Sequence, residues 1–199
     1  MSDERTDEIA REAASLIATG KARTVAEAIR RAADALDLRD APMPGHGLVR
    51  RHAQGMAMQA MGDSAYRQSI RAVWSVAEQI MAVMEQALPS ANSVLVGRAV
   101  KGQIDAGVTI HLRVYTPSPM RQIVESLLAY GYEEPSFETA ETRLGRLDRI
   151  RFQDEGCEVL LTRCLPEMAG QMGCDLFTGR SIPTATAEEL RRRLADENA

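Results

Sequence analysis

The hydrophobic period of the chain changes at Pro89, and that change limits the fold more than any other feature. Before it, apolar residues recur at helical spacing; after it, they alternate. Ile70, Val73, Trp74, Ala77, Ile80, Met81, Met84 and Leu88 trace one face of a long helix predicted from about Ser64 to Leu88, and Pro89 ends it. Ser93-Val94-Leu95-Val96 then reads as a short buried strand. Val108, Ile110, Leu112 and Val114 alternate with Thr109, His111, Arg113 and Tyr115, the pattern of a strand with one core face and one polar face. Helices first and strands afterwards make an α+β chain.

The front half carries three further helical segments. From Glu4 to about Thr19, Ile9, Ala13, Leu16 and Ile17 form one stripe, and Gly20 marks a stop. Thr24 with Glu27 three residues on is a capping-box spacing, opening a helix whose apolar face is Val25, Ala28, Ile29, Ala32 and Leu36. These two helices are expected to pack as an antiparallel hairpin. The Pro42-Met43-Pro44-Gly45 stretch breaks the pattern and reads as a linker. A further helix runs from about Leu48 to Met61. Residues 1–62 are therefore an N-terminal helical region and 63–199 a second domain. Met56, Met58, Met61, Met81 and Met84 fall at helical spacing and read as core rather than as an adaptable groove.

In the back half, Gly97, Gly102 and Gly107 punctuate a loop between the first two strands. Ser118 and Pro119 read as N-cap and first residue of a helix with Ile123, Val124, Leu127 and Leu128 inward. Glu133 to Glu141 reads as acidic loop. Arg149-Ile150-Arg151-Phe152 alternates, Asp154-Glu155-Gly156 reads as a hairpin turn, and Cys157 to Cys164 as the partner strand. The inward set of that strand is either Val159 and Leu161 or Leu160 beside Glu158. Thr186 and Glu189 form a second capping box, and Arg191 to Arg193 sit where a helix dipole favours cations.

Composition narrows the function classes. With 24 Lys+Arg against 28 Asp+Glu, a formal charge of -4 argues against broad electrostatic binding of nucleic acid. No stretch approaches the roughly 18 apolar residues of a membrane span. The acidic start Met1-Ser2-Asp3-Glu4 is no secretory signal, so a cytoplasmic location is expected. Cys157, Cys164 and Cys174 lack CxxC spacing and read as reduced thiols. His46, His52 and His111 are scattered, without zinc-ligand spacing.

The order helix, strand, glycine loop, long strand, helix, two-stranded hairpin resembles the DNA polymerase β-like nucleotidyltransferase superfamily. That resemblance implies a small mixed sheet with flanking helices. It also implies a Gly-Ser pair that contacts phosphates, an Asp-x-Asp on the second strand that holds divalent metal, and a third carboxylate on a later strand. The matching positions here are Gly97-Arg98, Thr109 and His111 within Val108-Thr109-Ile110-His111-Leu112, and Glu158. The hydrophobic frame is kept, but both aspartates and the serine are replaced. More narrowly the chain is similar to bacterial nucleotidyltransferase-like proteins with a helical region before a degenerate catalytic domain. The segments carrying this are Ile9-Ala10-Arg11-Glu12-Ala13-Ala14, Met43-Pro44, Leu95 to Gly102 and Ser181-Ile182-Pro183.

The replacements bear directly on chemistry. Magnesium wants anionic oxygen ligands; threonine offers one neutral oxygen and histidine offers nitrogen. Arg113, two residues further along the same face, places positive charge near the expected metal position. No metal or cofactor is expected, Mg²⁺ belonging only to the alternative of an active nucleotidyltransferase with an atypical site. The leading expectation is a catalytically inactive module that binds a nucleotide, another phosphate-containing ligand or a protein partner. Arg98, Lys101, His111 and Arg113 are the candidate anion-binding residues, with Arg149 or Arg151 joining from the neighbouring strand. The bland alternative makes them solvated side chains paired with Asp105 and Glu158. A third class is a homo-oligomer built on the Met-rich helices.

Overall fold

The computed structural model describes residues 2–104 and 109–196. The chain is α+β, helices preceding a mixed six-stranded sheet flanked by helices. It divides into two compact units, Met1–Gln68 with Ile104–Ala106, and Ser69–Gln103 with Gly107–Ala199.

In the first unit, α1 (Ser2–Ala18) packs against both α2 (Val25–Ala35) and α3 (His46–Met61). The expected stripes close over one core containing Ile9, Ala13, Ala28, Ala32, Val49 and Ala53. The expected two-helix hairpin is thus a three-helix cluster. The proline segment belongs to it: the Thr6 hydroxyl donates to the Pro42 carbonyl at 2.9 Å, so this stretch is a strap within the unit rather than a linker. His52 Nε2 lies 2.8 Å from Asp7 Oδ1. Thr24 caps α2 by accepting from the Glu27 N–H, but the Glu27 carboxylate accepts from Arg23 N–H, so the box closes one residue early. Met58 and Met61 are exposed, against the core reading; on this polar helix the apolar face narrows to Val49, Ala53 and the half-buried Met56.

The long helix α4 (Asp63–Ala87) carries Ile80, Met81 and Met84 at full burial. Beyond it the sheet runs β3-β4-β5-β2-β1-β6, with β1 (Asn92–Val96), β2 (Thr109–Tyr115), β3 (Ser136–Thr142), β4 (Gly145–Asp154), β5 (Cys157–Cys164) and β6 (Thr184–Ala185). All neighbours are antiparallel except β2 and β5, which are parallel. Two helices complete the unit, α5 (Met120–Ala129) and α6 (Ala187–Asp196).

Several expectations change here. The acidic stretch from Glu133 to Glu141 is not loop: most of it is β3, so the two-stranded hairpin is a three-stranded meander. Ser118 does not cap α5; Pro119 holds that position and no side chain caps the helix. The two readings of β5 are both satisfied, because Val159, Leu160, Leu161 and Thr162 are all buried and the sheet is covered on both faces. The Glu155-Gly156 turn is as expected, with both residues at positive φ. Thr186 and Glu189 make a full capping box at the start of α6.

One sheet face carries Ile110, Leu112, Val114 and Ile150, all buried. The other is half covered by the segment 165–183, whose Leu176, Met168, Met172 and Ile182 close over Val94, Val96, Tyr115, Leu147 and Cys164. Among the described residues no helix is long and apolar enough to cross a membrane. Cys157, Cys164 and Cys174 are free thiols, and burial pushes the Cys164 thiol up to about 11.

Candidate functional site

Period 2 determines which residues meet on this second face. In β2 it carries Thr109, His111 and Arg113. Parallel pairing sets them against Glu158, Leu160 and Thr162 of β5, which in turn lie beside Arg151 and Arg149 of β4. Arg149 stands opposite Glu138 of β3. The sheet therefore brings Thr109, His111, Arg113 and Glu158 to one surface. Val108, Gly107 and Asp105 lie outside the described residues.

Glu158 is the centre of a closed cluster. Its Oε2 accepts from the Thr109 hydroxyl at 2.6 Å and lies 2.7 Å from Arg151 Nη1. Arg151 also reaches Glu138 at 3.2 Å, and Arg149 Nη2 meets the same Glu138 oxygen at 3.2 Å. The Thr109 hydrogen bond lowers the Glu158 pKa, burial opposes it, and Arg151 lowers it further. The cation beside Glu158 is thus Arg151, where the sequence points to Arg113.

Arg113 does something else. It is buried at 4% exposure, and its Nη1 donates to the Met172 and Cys174 carbonyls at 3.2 and 2.8 Å. It pins the covering segment to the sheet. Asp175 in that segment accepts from Phe177 N–H, Thr178 N–H and the Thr178 hydroxyl, a turn signalled in sequence by Asp175 and Thr178 before Gly179.

His111 keeps exposed surface while arginines crowd its ring. Desolvation by the surrounding walls, then repulsion from Arg149, Arg151 and Arg98, pushes its pKa down to about 4, with Glu158 opposing. Repulsion needs no complete burial, so a wet ring edge leaves the direction unchanged. The imidazole is neutral at pH 7.

Gly97 follows β1 at φ 87, a region that L side chains rarely adopt. The expected glycine loop is a short 3₁₀ turn, Arg98–Lys101, held from two sides: Trp74 Nε1 donates to Ala99 O at 2.7 Å and Arg193 Nη1 to Val100 O at 2.6 Å. Arg193 also lies over the Trp74 ring at 5.6 Å, and Arg191 pairs with Glu78 at 2.6 Å. Two of the three C-terminal arginines thus serve tertiary packing rather than the helix dipole alone.

A cleft of about 200 Å³ opens between the sheet and the covering segment. Gly97, His111, Arg113, Arg149, Thr142 and Thr162 line it. Apolar walls come from Val96, Leu160, Leu176, Phe177 and Ile182. Arg98, Lys101, Thr109 and Glu158 are not among its lining residues, so the four expected anion-binding side chains do not form one pocket. Thr142, Thr162 and Phe177 carry no sequence signal of their own; only the register of the meander and the fold-back of 165–183 bring them together.

No protein-family model and no curated protein sequence matches the chain. Similarity is found among solved structures. A cytoplasmic RNA terminal U-transferase shares 14% identity over 57% of this chain and 34% of that one, at a TM-score of 0.39. A chain of the GLD-2/RNP-8 complex shares 14% identity over 51% of this chain and 42% of that one, at 0.38. Both neighbours belong to the DNA polymerase β-like nucleotidyltransferase superfamily. The chain spans less than half the length of either.

Proposed function

We propose that this chain is a nucleotidyltransferase-fold protein without two-metal transfer chemistry, retained as a module that binds an anionic ligand in the cleft beside His111. One observation carries the reading: Glu158 Oε2 is shared by the Thr109 hydroxyl and the Arg151 guanidinium. Two-metal phosphoryl transfer needs carboxylates free to bridge cations. Here the third-carboxylate position already has a cation of its own, permanently attached. The positions matching the two aspartates hold a hydroxyl that donates to Glu158 and a neutral imidazole. The arginines around His111 give the site a positive field suited to charge-assisted hydrogen bonds with a phosphate or carboxylate group.

The test is a transfer assay with labelled ATP and GTP, with and without Mg²⁺, paired with calorimetry. No Mg²⁺-stimulated transfer is expected, and anion binding is expected to be indifferent to Mg²⁺. Transfer that Mg²⁺ stimulates and that Glu158→Ala abolishes would overturn the reading.

A further inference from the structure

Within the cleft, most polar groups are already engaged. Arg113 is committed to two carbonyls, and Asp175 Oδ1 to three donors of its own turn. Arg151 is divided between Glu158 and Glu138. Arg149 differs. Its side chain is 17% exposed, and it shares one Glu138 oxygen with Arg151. Its buried Nε has no hydrogen-bond partner among the described residues. A buried donor without an acceptor is unfavourable, and an acceptor brought by a ligand removes that cost. His111 stands on the same wall, a neutral ring able to donate or accept.

Size and lining restrict the ligand further. About 200 Å³ lies below the roughly 300–1,000 Å³ of clefts that enclose drug-sized molecules. A nucleoside triphosphate does not fit inside. At roughly 30 Å³ for each water of liquid, the space suits a body of about ten non-hydrogen atoms. Leu160, Leu176, Phe177 and Ile182 offer that body apolar contacts. Glu138 and Asp175 flank the arginines, so a second negative charge on the ligand would meet carboxylates. A planar single charge suits the guanidinium fork better than a tetrahedral dianion.

We infer that the cleft binds a small monocarboxylate with an apolar body, its carboxylate held by Arg149 and His111 and its body against Leu160, Leu176 and Phe177. This rests on the reading of the site as a non-catalytic binding cleft and narrows its ligand from phosphate-bearing molecules to organic acids. A modest turn of the Arg149 guanidinium presents Nε to the ligand. Arg149 is then the residue that distinguishes the acid from its neutral isostere.

Calorimetry on the full chain tests this with three probes: phenylacetate, phenylacetamide and inorganic phosphate. Phenylacetate is expected to bind at least about tenfold more tightly than the amide, since charge-assisted hydrogen bonds are the stronger kind. Phosphate should bind more weakly than phenylacetate. Arg149→Gln should weaken phenylacetate about tenfold or more and bring it level with the amide. Ala140→Leu, which narrows the cleft and leaves every charge in place, should weaken acid and amide alike. If Arg149→Gln does not fold by circular dichroism, the wild-type acid-to-amide ratio and Ala140→Leu decide the matter. Equal affinity for acid and amide, tighter phosphate than phenylacetate, or an acid affinity unmoved by both substitutions overturns the inference. Metal-free ATP binding without phenylacetate binding would overturn it and leave the non-catalytic reading standing. Mg²⁺-stimulated transfer would overturn that reading whatever the acid does.

Discussion

At Glu158 one oxygen serves a hydroxyl and a guanidinium, and the consequences spread to its neighbours. His111, set among Arg149, Arg151 and Arg98, is held neutral down to about 4. Its unfolded counterpart takes up a proton near 6.5. Between those pH values the unfolded chain holds more protons, so stability from this group is full above 6.5 and is lost as pH falls towards 4. Urea denaturation at pH 7 and pH 5 should show that loss, and His111→Gln should flatten it; an unchanged slope in the variant would contradict the assignment. Arg113→Ala should destabilise by roughly 2–4 kcal/mol, because two buried carbonyls lose their charged donor. A denaturant midpoint within experimental error of wild type would refute that role. The identities at 109, 111 and 158 were legible from period-2 spacing and the family frame. Arg113's task was not, since its partners are backbone carbonyls 59 and 61 residues away.

Elements with a strong period or a local cap were readable, and those set by tertiary pairing were not. The long apolar stripe ending at Pro89 and the Glu155-Gly156 turn carry their signals within a few residues. β3 does not: Glu138 and Glu141 make it look like loop, and it becomes a strand by pairing with β4 at the sheet edge. The sequence likewise offered two inward sets for β5 because both of its faces are buried. The local signals make firm predictions. Thr186→Ala removes the acceptor for Glu189 N–H and should cost about 1 kcal/mol in chemical denaturation. Gly97→Ala imposes a side chain at φ 87 and should cost about 1–2 kcal/mol, lowering the melting temperature.

On the scale of the whole molecule, the chain places two separate cores in two units, and only the second holds the site. That site lies on a sheet face half closed by residues 165–183, a fold-back that no local pattern announces because Met168, Met172 and Leu176 meet the sheet through burial alone. The proposed function turns on whether a divalent ion can enter beside Glu158. The most direct measurement is Mn²⁺ titration followed by paramagnetic broadening of the backbone amide signals of Thr109, His111 and Glu158. The account expects these three to broaden no more than surface amides elsewhere, in wild type and in Glu158→Ala alike. Selective broadening of all three at low Mn²⁺, abolished by Glu158→Ala, would contradict it.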